Sequence, residues 1–312
     1  MKDPPVFMTA SEAVRELVSD DATIFISGFG NLYPFSLAHE IIRQGRRNLT
    51  IYKHSPELIA DQLIGAGCVR KLVMSWLGNP GIGSAHCFRR AVEKRIPQGL
   101  EIEEYTHAAT TGMFRAGAMG IPFLPTKALL GSDLLAKGRA RVKTMNCPFT
   151  GEKLVLVPAA NPDVAIVHAQ RADTEGNVQA WDVLADLRDG AFASKRVIVS
   201  VEEIVPNEVV RSLPNMTVLP SFLVDAVVEE PFGAHPSATQ GYYDRDNEFF
   251  FEYEELTRTV DGYQRFLADW IRGVTDRREY TKKLGPQRLS KLKPRASPSV
   301  SIDYGVYGGL TA

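Results

Sequence analysis

Two hydrophobic periods alternate along the first 150 residues. Val14, Leu17 and Val18 recur at helical spacing behind Thr9-Ala10-Ser11-Glu12, the Thr-x-x-Glu pattern of a capping box. Residues 22–27 (ATIFIS) are almost continuously apolar, as expected of a strand covered on both faces, and Gly28-Phe29-Gly30 ends the run. The cycle then repeats. A helix is predicted over 35–44 with Gly45 as its stop, a strand over 49–52, a helix over 56–64 and a strand over 69–76. A helix over 84–94, a strand over 100–105 and a helix over 108–119 complete it.

The second half is less regular. Strands are predicted over 153–158 (KLVLVP), 164–168 (VAIVH), 196–201 (RVIVSV) and 223–229 (LVDAVVE), with a turn at Gly176-Asn177 and a helix over 183–193. Tyr253, Leu256, Val260, Tyr263, Leu267, Trp270 and Ile271 fall at helical spacing, so one long helix is expected to close the core. Repeated strand-then-helix units predict an α/β fold. Its sheet is mostly parallel and open, with helices on both faces. One large domain is expected over 8–285, followed by an extension or tail over 286–312, where Pro, Ser and Lys accumulate.

Composition narrows the function classes. The chain has 312 residues, 44% hydrophobic and 23% charged, with a net charge of -1, which suits a globular protein and gives no footprint for a nucleic acid partner. A chain of this size buries about 75% of its unfolded surface, so it needs no metal or disulfide staples. Cys68, Cys87 and Cys147 are scattered and odd in number, which argues against a structural zinc site and for a reducing compartment. The opening MKDPPVFM has no apolar run after its lysine, and no stretch approaches the ~20 apolar residues of a membrane span. A cytoplasmic protein without a membrane partner is expected.

Familiar catalytic motifs are absent: no G-x-x-x-x-G-K-[ST] loop, no H-E-x-x-H, no G-x-S-x-G. The Gly28-Phe29-Gly30-Asn31 turn follows a strand, but the third glycine of a dinucleotide fingerprint is missing and no acidic residue ends the next strand, Tyr52-Lys53-His54-Ser55. The turn is either a point of close ligand approach or a tight strand-to-helix connection. A second loop, Gly78-Asn79-Pro80-Gly81-Ile82-Gly83-Ser84, offers backbone N–H groups to an anion, with Ser84 as cap of the next helix; a mobile surface loop is the plainer reading. Among the six histidines His54 is the most site-like, because it ends a strand, whereas His168 reads as a satisfied core group. Glu202 and Glu203 are adjacent on a strand and must point to opposite faces, so at most one enters a site.

An ordered set of segments carries a family resemblance. It comprises Gly28-Phe29-Gly30 with Pro34, Asn48-Leu49-Thr50, Gly120-Ile121-Pro122-Phe123-Leu124-Pro125 and Gly131-Ser132. It continues with Asp163-Val164-Ala165-Ile166-Val167-His168-Ala169-Gln170, Gly176-Asn177 and Val224-Asp225-Ala226-Val227-Val228. It ends with Phe232-Gly233-Ala234-His235-Pro236-Ser237, running on to Gly241-Tyr242-Tyr243-Asp244. Together these resemble the alpha subunits of family I CoA-transferases, of the glutaconate CoA-transferase type, over roughly residues 10–285.

The resemblance implies the NagB-like fold of that family and a heterodimer, often doubled, with a beta-type subunit. It implies acyl-CoA and a carboxylic acid, a dicarboxylate such as glutaconate, as substrates, and no cofactor beyond the CoA thioester itself. The family's nucleophile is a glutamate followed by Asn-Gly or Ser-Gly at a strand end of the beta-type chain. The counterpart here, Tyr52-Lys53-His54-Ser55-Pro56, holds no glutamate, and Glu57 falls later, at the helix start. No catalytic nucleophile is therefore expected in this chain. Its expected contribution is one wall of the site: Gly28, Phe29, Gly30, Asn31, His54, Ser55, Asn79, Gly81, Gly83, Ser84, Gly131 and Ser132. Two other readings stay open: a hydrolase or lyase of the same fold acting on a CoA-linked ring or diacid, and a non-catalytic regulatory protein.

Overall fold

The computed structural model describes residues 4–294. Its strands are β1 (Val6–Phe7), β2 (Thr23–Ile26), β3 (Leu49–Tyr52), β4 (Val69–Met74), β5 (Glu101–Glu104), β6 (Phe123–Thr126), β7 (Lys143–Asn146), β8 (Lys153–Pro158), β9 (Val164–Asp173), β10 (Val178–Gln179), β11 (Arg196–Val205), β12 (Thr217–Leu219) and β13 (Ala226–Glu229). The main sheet runs in the order β1-β13-β11-β9-β2-β3-β4-β5, parallel throughout. β10 and β12 attach to it in antiparallel fashion.

The order reverses between β2 and β9. From β2 the chain steps outward to β3, β4 and β5; from β9 it steps the other way to β11 and β13. Such a reversal opens a crevice outside the carboxyl ends of the strands, where open α/β sheets bind ligands.

Alternate side chains of the strands fill two cores. Ile24, Ile26, Ile51, Leu72 and Ile166 face α1 (Ala10–Leu17), α2 (Phe35–Arg43), α3 (Glu57–Gly65) and α4 (His86–Lys94). Phe25, Val73, Ala165, Val167 and Val199 face α5 (His107–Ala118) and, beyond the short α6 (Asp133–Ala136), α7 (Leu187–Ala193). Burial on both faces is why these strands read as continuous apolar runs. The predicted capping box is present at α1, where Thr9 and Glu12 bond each other's backbone N–H.

Four expectations are corrected. β6, β8 and β7 form a separate antiparallel sheet; Pro125 hides β6, and β7 (KTMN) is exposed along its length, so neither shows the apolar signal of a strand. The helix expected over 183–193 begins at Leu187, because Asp182 and Ala185 take positive φ. The helix α8 (Asn207–Ser212) lies before β12, and the long closing helix is two, α9 (Asn247–Thr257) and α10 (Val260–Phe266), plus a π turn over Leu267–Arg272. Thr259 is extended, and its side chain accepts the Gly262 N–H to open a new helix. Finally, α11 (Arg277–Leu284) is followed by α12 (Pro286–Leu292), which lies within the segment expected to be a tail. The rest of that segment, 295–312, lies outside the described residues. Among the described residues no helix is long and apolar enough to cross a membrane.

Candidate active site

The carboxyl end of β2 lies at the switch point and carries the Gly28–Asn31 turn. Gly28 has φ 94, and a Cβ there would sit 2.6 Å from the Asn31 carbonyl oxygen, so only glycine fits. The Phe29 N–H donates back to that carbonyl, which closes the turn. Phe29 projects outward, half-exposed, and stacks on the His54 ring at 5.2 Å. Asn31 is buried, and both its amide atoms lack a hydrogen-bond partner in the chain.

The end of β3 presents three polar residues in a row, all buried. Lys53 donates to the Gly28 carbonyl and lies 5.3 Å over the Tyr33 ring. Burial lowers its pKa to about 8, against the opposing pull of Asp186 and Glu57. His54 is pushed down to about 2, first by burial and then by Lys53 and His107, so its ring is neutral. Ser55 Oγ lies 2.7 Å from His107 Nε2. Glu57 follows at φ 46, a strained conformation for a non-glycine residue, with its carboxyl turned inward and its pKa raised by burial.

Three site residues escaped the sequence reading. His107 opens α5, just past β5, and its exposed ring meets His54 edge-on at 5.5 Å. Asp186 precedes α7, and its Oδ2 lies 3.1 Å from His54 Nδ1, misaligned so that neither atom gains a hydrogen bond. Thr111, one turn into α5, donates to Asp186 Oδ1 at 2.8 Å and holds that carboxyl in place. Burial raises the Asp186 pKa, with Lys53 opposing. The strand-end rule that singled out His54 would also have found His107 if applied to β5. Asp186 left no signal, because only the fold brings the residue ahead of α7 to the residues that follow β3.

The other predicted residues fall in two places. Asn79 anchors the loop after β4. Its carbonyl accepts from Ile82 and Gly83, so those N–H groups are spent inside the turn rather than offered to an anion. Gly81 is exposed at the tip of the turn. Ser84 does not cap α4, which starts at His86 behind Ala85 with no side-chain cap. The buried Asn79 Oδ1 has no partner. Gly131 and Ser132 lie between β6 and β7, where the Ser132 hydroxyl donates to the Leu129 carbonyl at 2.7 Å. They are not joined to the β2 and β3 turns by any hydrogen bond among the described residues.

Two buried histidines tie together elements next to the β2 turn. His168 lies between Ser200 Oγ (2.9 Å) and Glu202 Oε1 (2.7 Å), and Tyr243 and the Phe232 N–H also donate to Glu202. Glu203 points the other way and accepts from Tyr242. His235 lies between Tyr280 OH and Asp246 Oδ2. The segment it belongs to packs over the β2 turn through Leu32 N–H to Ala238 O and Ser36 N–H to Gly233 O. Among the described residues no group of His, Cys, Asp and Glu is arranged to hold a metal ion.

The crevice thus offers oriented hydrogen-bonding groups, and the carboxyls beside it, Glu57 and Asp186, are buried. Buried polar atoms left unpaired cost about 1–3 kcal/mol each. Such atoms occur on Asn31 in the β2 turn and on His54 at the end of β3, which adjoin through Phe29.

The chain is 45% identical over 277 residues to the A-type polypeptide of the 3-oxoadipate CoA-transferase of Pseudomonas knackmussii, covering 89% of this chain and 97% of that one. The crystal structure of glutaconate coenzyme A-transferase from Acidaminococcus fermentans superposes with a TM-score of 0.87 at 34% identity, covering 95% of this chain and 98% of that one. The decarboxylase AibA/AibB superposes with a TM-score of 0.74 at 31% identity, covering 86% and 100%. Residues 7–230 match the family model described as Coenzyme A transferase. With that match, that identity and that superposition, this chain belongs to the coenzyme A transferase family.

Proposed function

We propose that this chain is the alpha-type subunit of a two-chain CoA-transferase that moves CoA between an acyl-CoA and an oxo- or dicarboxylic acid, with the nucleophilic glutamate on a beta-type partner. The observation that carries this reading is the end of β3. It holds Lys53-His54-Ser55 and no accessible carboxylate, while polar atoms around it wait unpaired. The names of the related polypeptides from Pseudomonas knackmussii and Acidaminococcus fermentans support the reaction and the two-chain assembly.

In this reading the partner's carboxylate attacks the thioester carbonyl and CoA leaves as thiolate, giving an acyl-glutamyl anhydride. The thiolate then attacks the glutamyl carbonyl and releases the first acid, leaving a glutamyl thioester. An incoming carboxylate reverses both steps. This chain orients the acyl group. Phe29 and His54 form a wall, and the neutral His54 ring adds no charge beside the developing oxyanion.

The test is to co-purify the chain with a beta-type subunit from the same genome, incubate with acyl-CoA, and trap with hydroxylamine. Inactivation mapped to a glutamate of the partner is expected, together with CoA appearing on an added acid. Trapping on Glu57, or release of free CoA or carbon dioxide with no transfer, would overturn the assignment and favour the hydrolase or decarboxylase chemistry of the same fold.

A further inference from the structure

The exchange proposed above moves acyl groups between oxygen and sulfur without requiring any proton transfer. It has no use for a proton carrier, yet four polar side chains from three elements converge on its crevice: His54 and Ser55 from the end of β3, His107 from the start of α5, and Asp186 ahead of α7. Their geometry suits binding. Ser55 is buried and His107 exposed, and the single hydrogen bond of the His107 ring among the described residues is the one to Ser55 Oγ. His54, fixed between the face of Phe29 and the edge of His107, keeps Nδ1 unbonded. The slot so formed has one apolar wall, Phe29, and one wall of hydrogen-bonding groups.

We propose that His107 and Ser55 are the selectivity element of this site, binding an acceptor oxygen carried along the acyl chain and so favouring oxo- or dicarboxylic acyl groups over plain alkanoyl groups. The inference rests on the CoA-transferase reading. It also has a physical reason. An alkyl chain laid over the exposed His107 ring strips water from the Ser55–His107 pair and returns nothing, whereas an oxygen at that position takes the water's place, and sites built this way reject the analogue that lacks the oxygen far more strongly than an apolar pocket rejects an added one. Thr111 holds the Asp186 carboxyl beside His54.

The experiment uses the full two-chain enzyme and compares kcat/KM for hexanoate, 3-oxohexanoate and adipate as CoA acceptors, with one common acyl-CoA donor. The wild type is expected to prefer at least one oxygenated acid. The 3-oxo and dicarboxylate arms show which oxygen His107 meets. His107→Leu, at an exposed position, is expected to cut the ratio of that acid to hexanoate roughly 10–100-fold, Ser55→Ala to cut it less, and His107→Gln, which restores a donor, to recover part of it. Loss of all three substrates in parallel would show a structural role and overturn the inference, as would a ratio that survives His107→Leu. A wild type that transfers CoA with no preference overturns the inference alone. A pair that transfers nothing to any acid removes the CoA-transfer reading and the inference with it.

Discussion

Lys53 donates a hydrogen bond from beneath the glycine turn to the carbonyl of Gly28, tying the end of β3 to the end of β2 at the switch point. The contact is made by a fully buried ammonium, and burial brings its pKa down to about 8 from the ordinary 10.5. An anchor of this kind costs stability in order to fix the geometry of a turn.

Lys53→Met is expected to show that cost. The native pKa lies below the unfolded one, so the unfolded chain binds more protons between pH 8 and 10.5. The penalty is absent above pH 10.5 and fully present below about pH 8, on the order of 3 kcal/mol. Chemical denaturation of both proteins across this range should show the wild type gaining on the variant as pH rises. A constant difference would mean that the ammonium is solvated. Transfer activity of the variant pair should fall at least tenfold at pH 7, because the Gly28 turn loses its tie.

His54 should remain uncharged through the physiological range. Its pKa is pushed down to about 2, so proton-coupled NMR of histidine-labelled protein should show no midpoint for it between pH 5 and 8. A midpoint near 6.5 would show that water reaches the ring and that the slot against Phe29 is open.

Arg288 joins α12 to the segment that packs over the β2 turn. Its Nε and Nη2 bond the two carboxylate oxygens of the buried Asp246 at 2.6 and 3.0 Å, and Asp246 also accepts from His235. Arg288→Ala is expected to cost about 3 kcal/mol, because the Asp246 carboxylate stays buried with one cation removed. A loss within about 0.5 kcal/mol in urea denaturation would mean that α12 contributes nothing to the fold.

Gly190 lets α7 lie directly on β2. A Cβ there would meet the Phe25 ring at 2.2 Å, deep in the core. Gly190→Ala should destabilise by about 1–3 kcal/mol and, by lifting α7, draw Asp186 away from His54. An unchanged unfolding midpoint would show that the helix moves freely.

Ser84→Ala should be nearly neutral, within about 0.5 kcal/mol, because the capping bond does not form. Thr106→Ala should cost about 1 kcal/mol, since Thr106 accepts the Ala109 N–H at the head of α5. Equal effects from the two substitutions would contradict the observed caps.

The contrast between these two caps shows what a local pattern can carry. A serine ahead of a helical run looks the same in sequence whether the helix starts beside it or two residues on. The buried parallel strands were legible because both faces of β2, β9 and β11 are covered, which demands unbroken apolar runs. The small sheet of β6, β7 and β8 was hidden because β6 and β7 bury little and leave no period to read.

The sequence by itself determined the family, the alternation that produces a parallel sheet, the glycine turn after β2, the strand-end position of His54 and the absence of an acidic residue from Tyr52-Lys53-His54-Ser55-Pro56. The fold alone decided that Asp186 and Thr111, more than 50 residues beyond His54 in the chain, frame its ring, and that Lys53 turns inward to Gly28 instead of facing the crevice. Periodicity reports which side of an element is buried. It carries no information about which distant elements meet there, because that depends on sheet order and on how the helices pack, which are properties of the whole chain.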